Sequence, residues 1–168
     1  TGAYIEVLRG TPILLQLYFF WLLLPKVLPF KVSDTACIIV ALVINSSSYV
    51  AEVIRAGIQA VDKGQMEAAK SLGLSNKNAM RYVILPQAVK NILPTLGNEF
   101  IALIKETSVV SFVGAADLYV AFNYIGSNSY EFMVPYLVMA AIYIVLVLVI
   151  SILVKLMERS LKKSDRRH

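Results

Sequence analysis

Apolar residues gather in four stretches along this chain, and polar residues fall between them or in ordered stripes within them. The first stretch, 12–25, reads PILLQLYFFWLLLP and extends through Phe30. With those flanking residues it is just long enough to cross a hydrocarbon core of about 30 Å as a helix. Pro25 and Pro29 mark its fraying end, and Trp21 suits either a membrane interface or a neighbouring helix. The second stretch runs uncharged from 35 to 51, and its helix continues through Glu52 and Arg55 to Gly57. Asn45, Ser48, Tyr49, Glu52 and Arg55 recur at steps of three or four, drawing one polar stripe down one side. Such a stripe on a membrane helix faces protein or water, because lipid leaves its polar groups unsatisfied.

The third stretch, 89–116, is the least apolar and carries Pro94, Gly97, Asn98, Glu99, Lys105 and Glu106. Thr95, Asn98, Glu99, Ala102 and Glu106 share a face, while Pro94 and Gly97 offer places to bend or unwind. A helix with that face belongs inside a bundle. The fourth, 132–154, is 23 uncharged residues and spans without ambiguity. A basic tail, 155–168, follows and is expected to fray into solvent. The predicted fold class is therefore all-α, a polytopic transmembrane helix bundle with four spans. No tandem repeat or low-complexity segment interrupts it.

Composition agrees, since 58 % hydrophobic and 16 % charged residues are membrane proportions for 168 residues. The single Cys37 rules out an internal disulfide and lies in an apolar run, where it reads as a small buried hydrophobe. His168, the one histidine, reads as a solvated tail residue. Six Lys/Arg lie between Arg55 and Lys90 and six more from Lys155 to Arg167, whereas 116–131 has none. By the positive-inside rule the loop after the second span and the C-terminus are then cytoplasmic, with Lys26 and Lys31 a modest external exception. This topology accounts for the net charge of +5, and nucleic acid is not needed as a partner. The chain opens on Thr1-Gly2-Ala3-Tyr4 with no initiator methionine, which suggests upstream sequence carrying at least one more membrane helix.

Between the second and third stretches, 65–88 reads QMEAAKSLGLSNKNAMRYVILPQA. Good helix formers fill 66–72, Gly73 supplies a left-handed stop, and Ser75 stands where a second helix needs its cap. That second helix is expected to run until Leu85 and Pro86 interrupt it. Two short helices meeting at a glycine corner is the local prediction.

Glu67-Ala68-Ala69, Gly73 six residues on, Val83 ten residues later, then Leu85-Pro86 together resemble the EAA…G…I.LP signature of the membrane subunits of bacterial ABC importers. The local LPQA form, Arg9-Gly10-Thr11-Pro12 and Lys105-Glu106-Thr107-Ser108 look like the polar amino acid branch (histidine, glutamine and arginine type). The resemblance covers essentially the whole chain, 1–168, as one transmembrane permease domain with a coupling loop at about 62–86. It implies that Glu67, Ala68, Ala69, Gly73, Leu85 and Pro86 couple the chain to a separate cytoplasmic ABC ATPase dimer. It also implies a second permease copy or homologue, an extracellular or periplasmic amino-acid-binding protein, and residence in the bacterial inner membrane. ATP and magnesium would belong to the ATPase, leaving no cofactor in this chain. In that setting Ala68 and Ala69 suit a groove, Gly73 makes the corner, and Glu67 is placed to hold the knuckle by a charge-assisted hydrogen bond. Read without the resemblance, the same loop is a solvated connector.

Enzyme motifs are absent: no GxxxxGK[ST], no GxSxG and no HExxH occur. Asn45, Ser46, Tyr49 and Glu52 on one helix, with Lys105, Thr107 and Ser108 on another, could instead line a mid-membrane site for an amino acid substrate. A zwitterion needs donors for its carboxylate and acceptors for its ammonium, and this set offers both. Structural readings compete: Glu52 and Arg55 can simply pair, and serine and asparagine often bond between helices. An ion-gradient-driven transporter or channel-like subunit, with Glu99, Lys105 and Glu106 as its coupling charges, is the alternative function. A passive membrane scaffold is a third. Thr11 is expected to cap the helix that Pro12 begins.

Overall fold

The computed structural model describes residues 2–165, with side chains as far as residue 161. His168 and the end of the basic tail lie outside the described residues. Among the described residues eight α-helices follow one another: α1 (Gly2–Gly10), α2 (Ile13–Val27), α3 (Asp34–Gln59), α4 (Lys63–Ser71), α5 (Asn76–Ala79), α6 (Leu85–Glu106), α7 (Leu118–Ser129) and α8 (Met133–Asp165). A π-turn, Met80–Ile84, joins α5 to α6, and a 3-10 turn, Thr107–Val113, extends α6. No strand occurs among the described residues.

Among the described residues two helices, α3 and α8, are long and apolar enough to cross a membrane alone, and by length and composition up to four spans result if each bent pair counts as one. The expected first span is such a pair. At 15 residues α2 reaches only about 22 Å, and α1 meets it at 105° and so adds no length along its axis; the pair has the form of a broken span or a re-entrant element. Thr11 does not cap α2. Its hydroxyl donates back to the Val7 carbonyl at 2.8 Å and closes α1, and Pro12 stands at the N-cap of α2 with no side-chain bond. The residue that fixes this corner is Gln16, 6 % exposed, whose Nε2 donates to the Leu8 carbonyl at 2.7 Å and to Thr11 Oγ1 at 2.7 Å.

The third stretch also differs in detail. Its helix begins at Leu85 and tightens into the 3-10 turn after Glu106, and Gly114, at φ +78, stops it. Neither Pro94 nor Gly97 breaks α6. The connection 116–131 contains α7, capped by Asp117 Oδ1 accepting from the Val120 N–H at 2.8 Å. The basic tail is helical through Lys155 and Arg159 to Asp165 instead of fraying at 155, because α8 simply continues.

Contacts divide the chain into two units. The first joins the chain up to Tyr49 with Ile101–Val149, and the second joins Val50–Phe100 with the part from Ile150 onward. The first is centred on buried Leu17, Ile38, Ala41, Val110 and Val113, with Tyr18, Phe20 and Trp21 packed against them. Trp21 thus packs on its own chain, and its Nε1–H donates to Asp34 Oδ1 at 2.8 Å. Cys37 is fully buried, as its apolar run suggests. The second unit is centred on Val61, Ile84, Ala88 and Ile92, with Met66 and Met80 at its edge.

Candidate coupling elbow and transport residues

The elbow lies wholly in the second unit, and its shape follows from local bonds. Asp62 opens α4 by accepting from the Gly64 N–H at 2.7 Å. At the other end Gly73 takes φ +87, the Gly73 N–H reaches the Lys70 carbonyl at 2.9 Å, and the Leu74 N–H reaches the Ala69 carbonyl at 3.1 Å. That pair of bonds is a Schellman motif, and it turns the chain sharply. Ser75 then caps α5, accepting from the Asn78 N–H at 3.3 Å, as its position in the sequence suggests.

Leu85 and Pro86 do not interrupt the helix that follows. Pro86 has no N–H and its ring crowds the carbonyl four residues back, and the ladder widens into the π-turn Met80–Ile84 just before it. The helix then resumes as α6. Gln87 ties the two arms, donating to the Val83 carbonyl at 2.9 Å and to Gln65 Oε1 at 3.3 Å.

The elbow residues divide between an inner and an outer face. Ala69 and Ala79 are buried, so small side chains let the two arms close, and Ala69 holds the knuckle from within. Glu67, Ala68, Gly73, Leu85 and Pro86 are exposed. Glu67 does not hold the knuckle: its carboxylate has no hydrogen-bond partner among the described residues, and the caps and the Schellman bonds do that work. Leu72, 86 % exposed, and Tyr82, 64 % exposed, join the outer face and were not singled out from sequence. The signal for Leu72 was available, as an apolar residue just before the corner glycine on an otherwise polar helix.

The transport candidates occupy α3 and the end of α6. Asn45 is 4 % exposed, yet its amide makes no side-chain hydrogen bond among the described residues. Ser48, wholly buried, spends its hydroxyl on the Asn45 carbonyl at 2.7 Å. Ser46 and Tyr49 are half-buried, and the Arg9 guanidinium stands 5.5 Å from the centre of the Tyr49 ring. Glu52 pairs with Arg55 at 3.3 Å in the second unit, the pairing that their spacing allowed.

Lys105 is exposed in the last turn of α6. Thr107 and Ser108 lie on the 3-10 turn, donating to the Ile104 carbonyl at 2.6 Å and to the Lys105 carbonyl at 3.0 Å. Those hydroxyls serve carbonyls at the point where the α ladder ends, and their lone pairs stay available. Ala41 and Val110 share the apolar cluster of the first unit. Asn45 stands one turn beyond Ala41 and Thr107 one turn before Val110, so the polar candidates follow that cluster on both elements. No hydrogen bond or ion pair joins the two sets among the described residues.

The family described as binding-protein-dependent transport system inner membrane component matches residues 2–163. The chain belongs to that family. The permease is 43 % identical over 162 residues to the arginine transport system permease protein ArtQ of Bacillus subtilis (strain 168), covering 96 % of this chain and 74 % of that protein. It is 41 % identical to the putative glutamine transport system permease protein GlnP of Rickettsia conorii (strain ATCC VR-613 / Malish 7), covering 94 % and 72 %. Among solved structures it matches an amino acid ABC transporter crystallised with histidines at a TM-score of 0.86 and 52 % identity, covering 95 % of this permease and 74 % of that chain. The inward-facing MetNI methionine ABC transporter, at 18 % identity and a TM-score of 0.77 over 95 % and 73 %, shares the fold. Nothing in these likenesses favours a gradient-driven transporter.

Proposed function

We propose that this permease forms the membrane path of an ATP-driven importer of polar amino acids, with hydrolysis performed by separate ATPase subunits. The relatives named for arginine and glutamine, and the structural relative crystallised with histidines, support an amino acid cargo. The observation that carries the coupling role is the elbow's outer face. Glu67, Ala68, Leu72 and Pro86 stand free on a knuckle already stiffened from within, as a surface meant for another subunit would be.

The elbow and the C-terminus face the cytoplasm in this reading, where the twelve Lys/Arg of 55–90 and 155–167 belong. A second permease copy or homologue completes the path, and an external binding protein delivers the cargo. Asn45 is 4 % exposed, and its amide makes no hydrogen bond among the described residues and keeps a trace of accessible surface. That supports a substrate site that it shares with Ser46, Tyr49, Lys105, Thr107 and Ser108; Glu52, in the second unit, is carried as a separate transport candidate. The test is reconstitution with an ABC ATPase and an amino-acid-binding protein from the same organism. Labelled L-arginine, L-glutamine and L-histidine are offered with ATP, with non-hydrolysable analogue, and with an imposed proton or sodium gradient alone. Uptake with ATP only is expected. Accumulation driven by the gradient without nucleotide would overturn the proposal.

A further inference from the structure

Tyr49 already carries a cation. The Arg9 guanidinium lies 5.5 Å from its ring centre, within the range where a positive group is attracted to an aromatic face. Arg9 comes from α1, and α1 rests on α3 lightly. Its one buried side chain is Ile5, and its hydrogen bonds to α3 come from the Tyr4 hydroxyl, which shares one with Ser47 Oγ at 2.8 Å and donates to the Ile44 carbonyl at 3.4 Å, with Ser47 itself bonded to that carbonyl at 2.6 Å. Arg9 is exposed, whereas Tyr49 is half-buried in the middle of α3. Tyr49 also follows Asn45 and Ser46 by one helical turn, so its ring borders the polar residues offered above as substrate contacts.

We infer that Arg9 is a selectivity residue: its guanidinium occupies the face of Tyr49 that a guanidinium- or ammonium-bearing amino acid would otherwise use, and so competes with cationic cargo but not with neutral cargo. This rests on the proposed transport function. A cation bound to an aromatic face repels a second cation from the same face, whereas the neutral amide of glutamine makes no comparable demand on it. Removing Arg9 therefore helps a cationic substrate selectively, and only while the ring is present.

The complete transporter in liposomes tests this with L-arginine and L-glutamine as probes, a probe that is not carried being read as a competitor. Arg9→Gln is expected to lower the KM for arginine by roughly threefold to tenfold and to leave glutamine within about twofold of wild type. Arg9→Lys, which keeps the charge, is expected to stay within about twofold for both. In Arg9→Gln/Tyr49→Leu the gain for arginine disappears. Equal shifts for both amino acids would reveal a merely structural contact, and a gain that survives Tyr49→Leu would reveal long-range repulsion; either overturns the inference. A wild-type complex that takes up neither probe and is inhibited by neither removes the transport reading, and the role of Arg9 falls with it.

Discussion

Gly97 of α6 passes so close to Val154 of α8 that a Cβ on the glycine would stand 2.6 Å from Val154 Cγ2 and 2.9 Å from Cγ1. Valine is stiff at χ1, so it yields little. Gly97→Ala is expected to lose roughly 1–3 kcal/mol to overpacking, only partly offset by about 0.5–1 kcal/mol of helix propensity. In the Val154→Ala background the same change becomes neutral or stabilising. Thermal unfolding in detergent of the four variants of this cycle reads the sign reversal, and a loss that persists without Val154 would refute the packing account.

Gly73 has nothing within 4 Å of a would-be Cβ, so its φ of +87 is the whole reason for glycine there. Gly73→Ala should cost about 1–2 kcal/mol and Gly73→Asn less, because asparagine tolerates the left-handed region. Gly73→Asp adds a charge on the outer face and is expected to abolish stimulation of the ATPase while the protein still inserts. Normal stimulation in that variant would speak against the elbow as the coupling element.

Gln16→Leu removes the donor that holds the α1–α2 corner, leaving the Leu8 carbonyl and the Thr11 hydroxyl without it in a partly buried place, at a cost of roughly 1 kcal/mol. A cysteine placed at position 11 should then react faster with a maleimide, native Cys37 remaining buried. An unchanged rate would show that the 105° bend is held elsewhere.

Tyr130 adopts φ 54 and is 93 % exposed, an unusual conformation for a side chain with so little packing to hold it. Tyr130→Gly is expected to raise stability by about 1 kcal/mol, seen as a higher melting temperature. A drop would mean that the tyrosine ring makes a contact worth more than the backbone strain.

Glu52 and Arg55 form a pair with side chains 34 % and 46 % exposed, so breaking it should change stability by less than about 1 kcal/mol. A fall in uptake in Glu52→Gln would therefore report on transport and not on folding. Asn45→Ala is expected to reduce uptake roughly tenfold if its amide meets the substrate. Wild-type uptake in both variants is what a passive scaffold predicts.

Apolar length and charge asymmetry made α3 and α8 legible from residues alone, and the spacing of Glu67, Gly73 and Pro86 made the elbow legible. What escaped was set by tertiary context. Thr11 had two ways to use its hydroxyl, capping forward or bonding back, and the buried Gln16 beside it decided the matter. Pro86 was readable as a breaker, but a π-turn absorbs a missing N–H without ending the helix, and composition does not reveal that choice. Ala68 and Ala69 are identical in sequence and opposite in burial, a distinction that only the packing of α4 on α5 makes. Asp117, alone in an apolar stretch, could have announced α7, since an aspartate there is a ready cap.

The bend at Gly73 is written in its own backbone bonds, with no atom within 4 Å of the place a Cβ would take. A hook formed that way is preorganised: it does not need to be ordered on arrival, so attachment there loses little entropy.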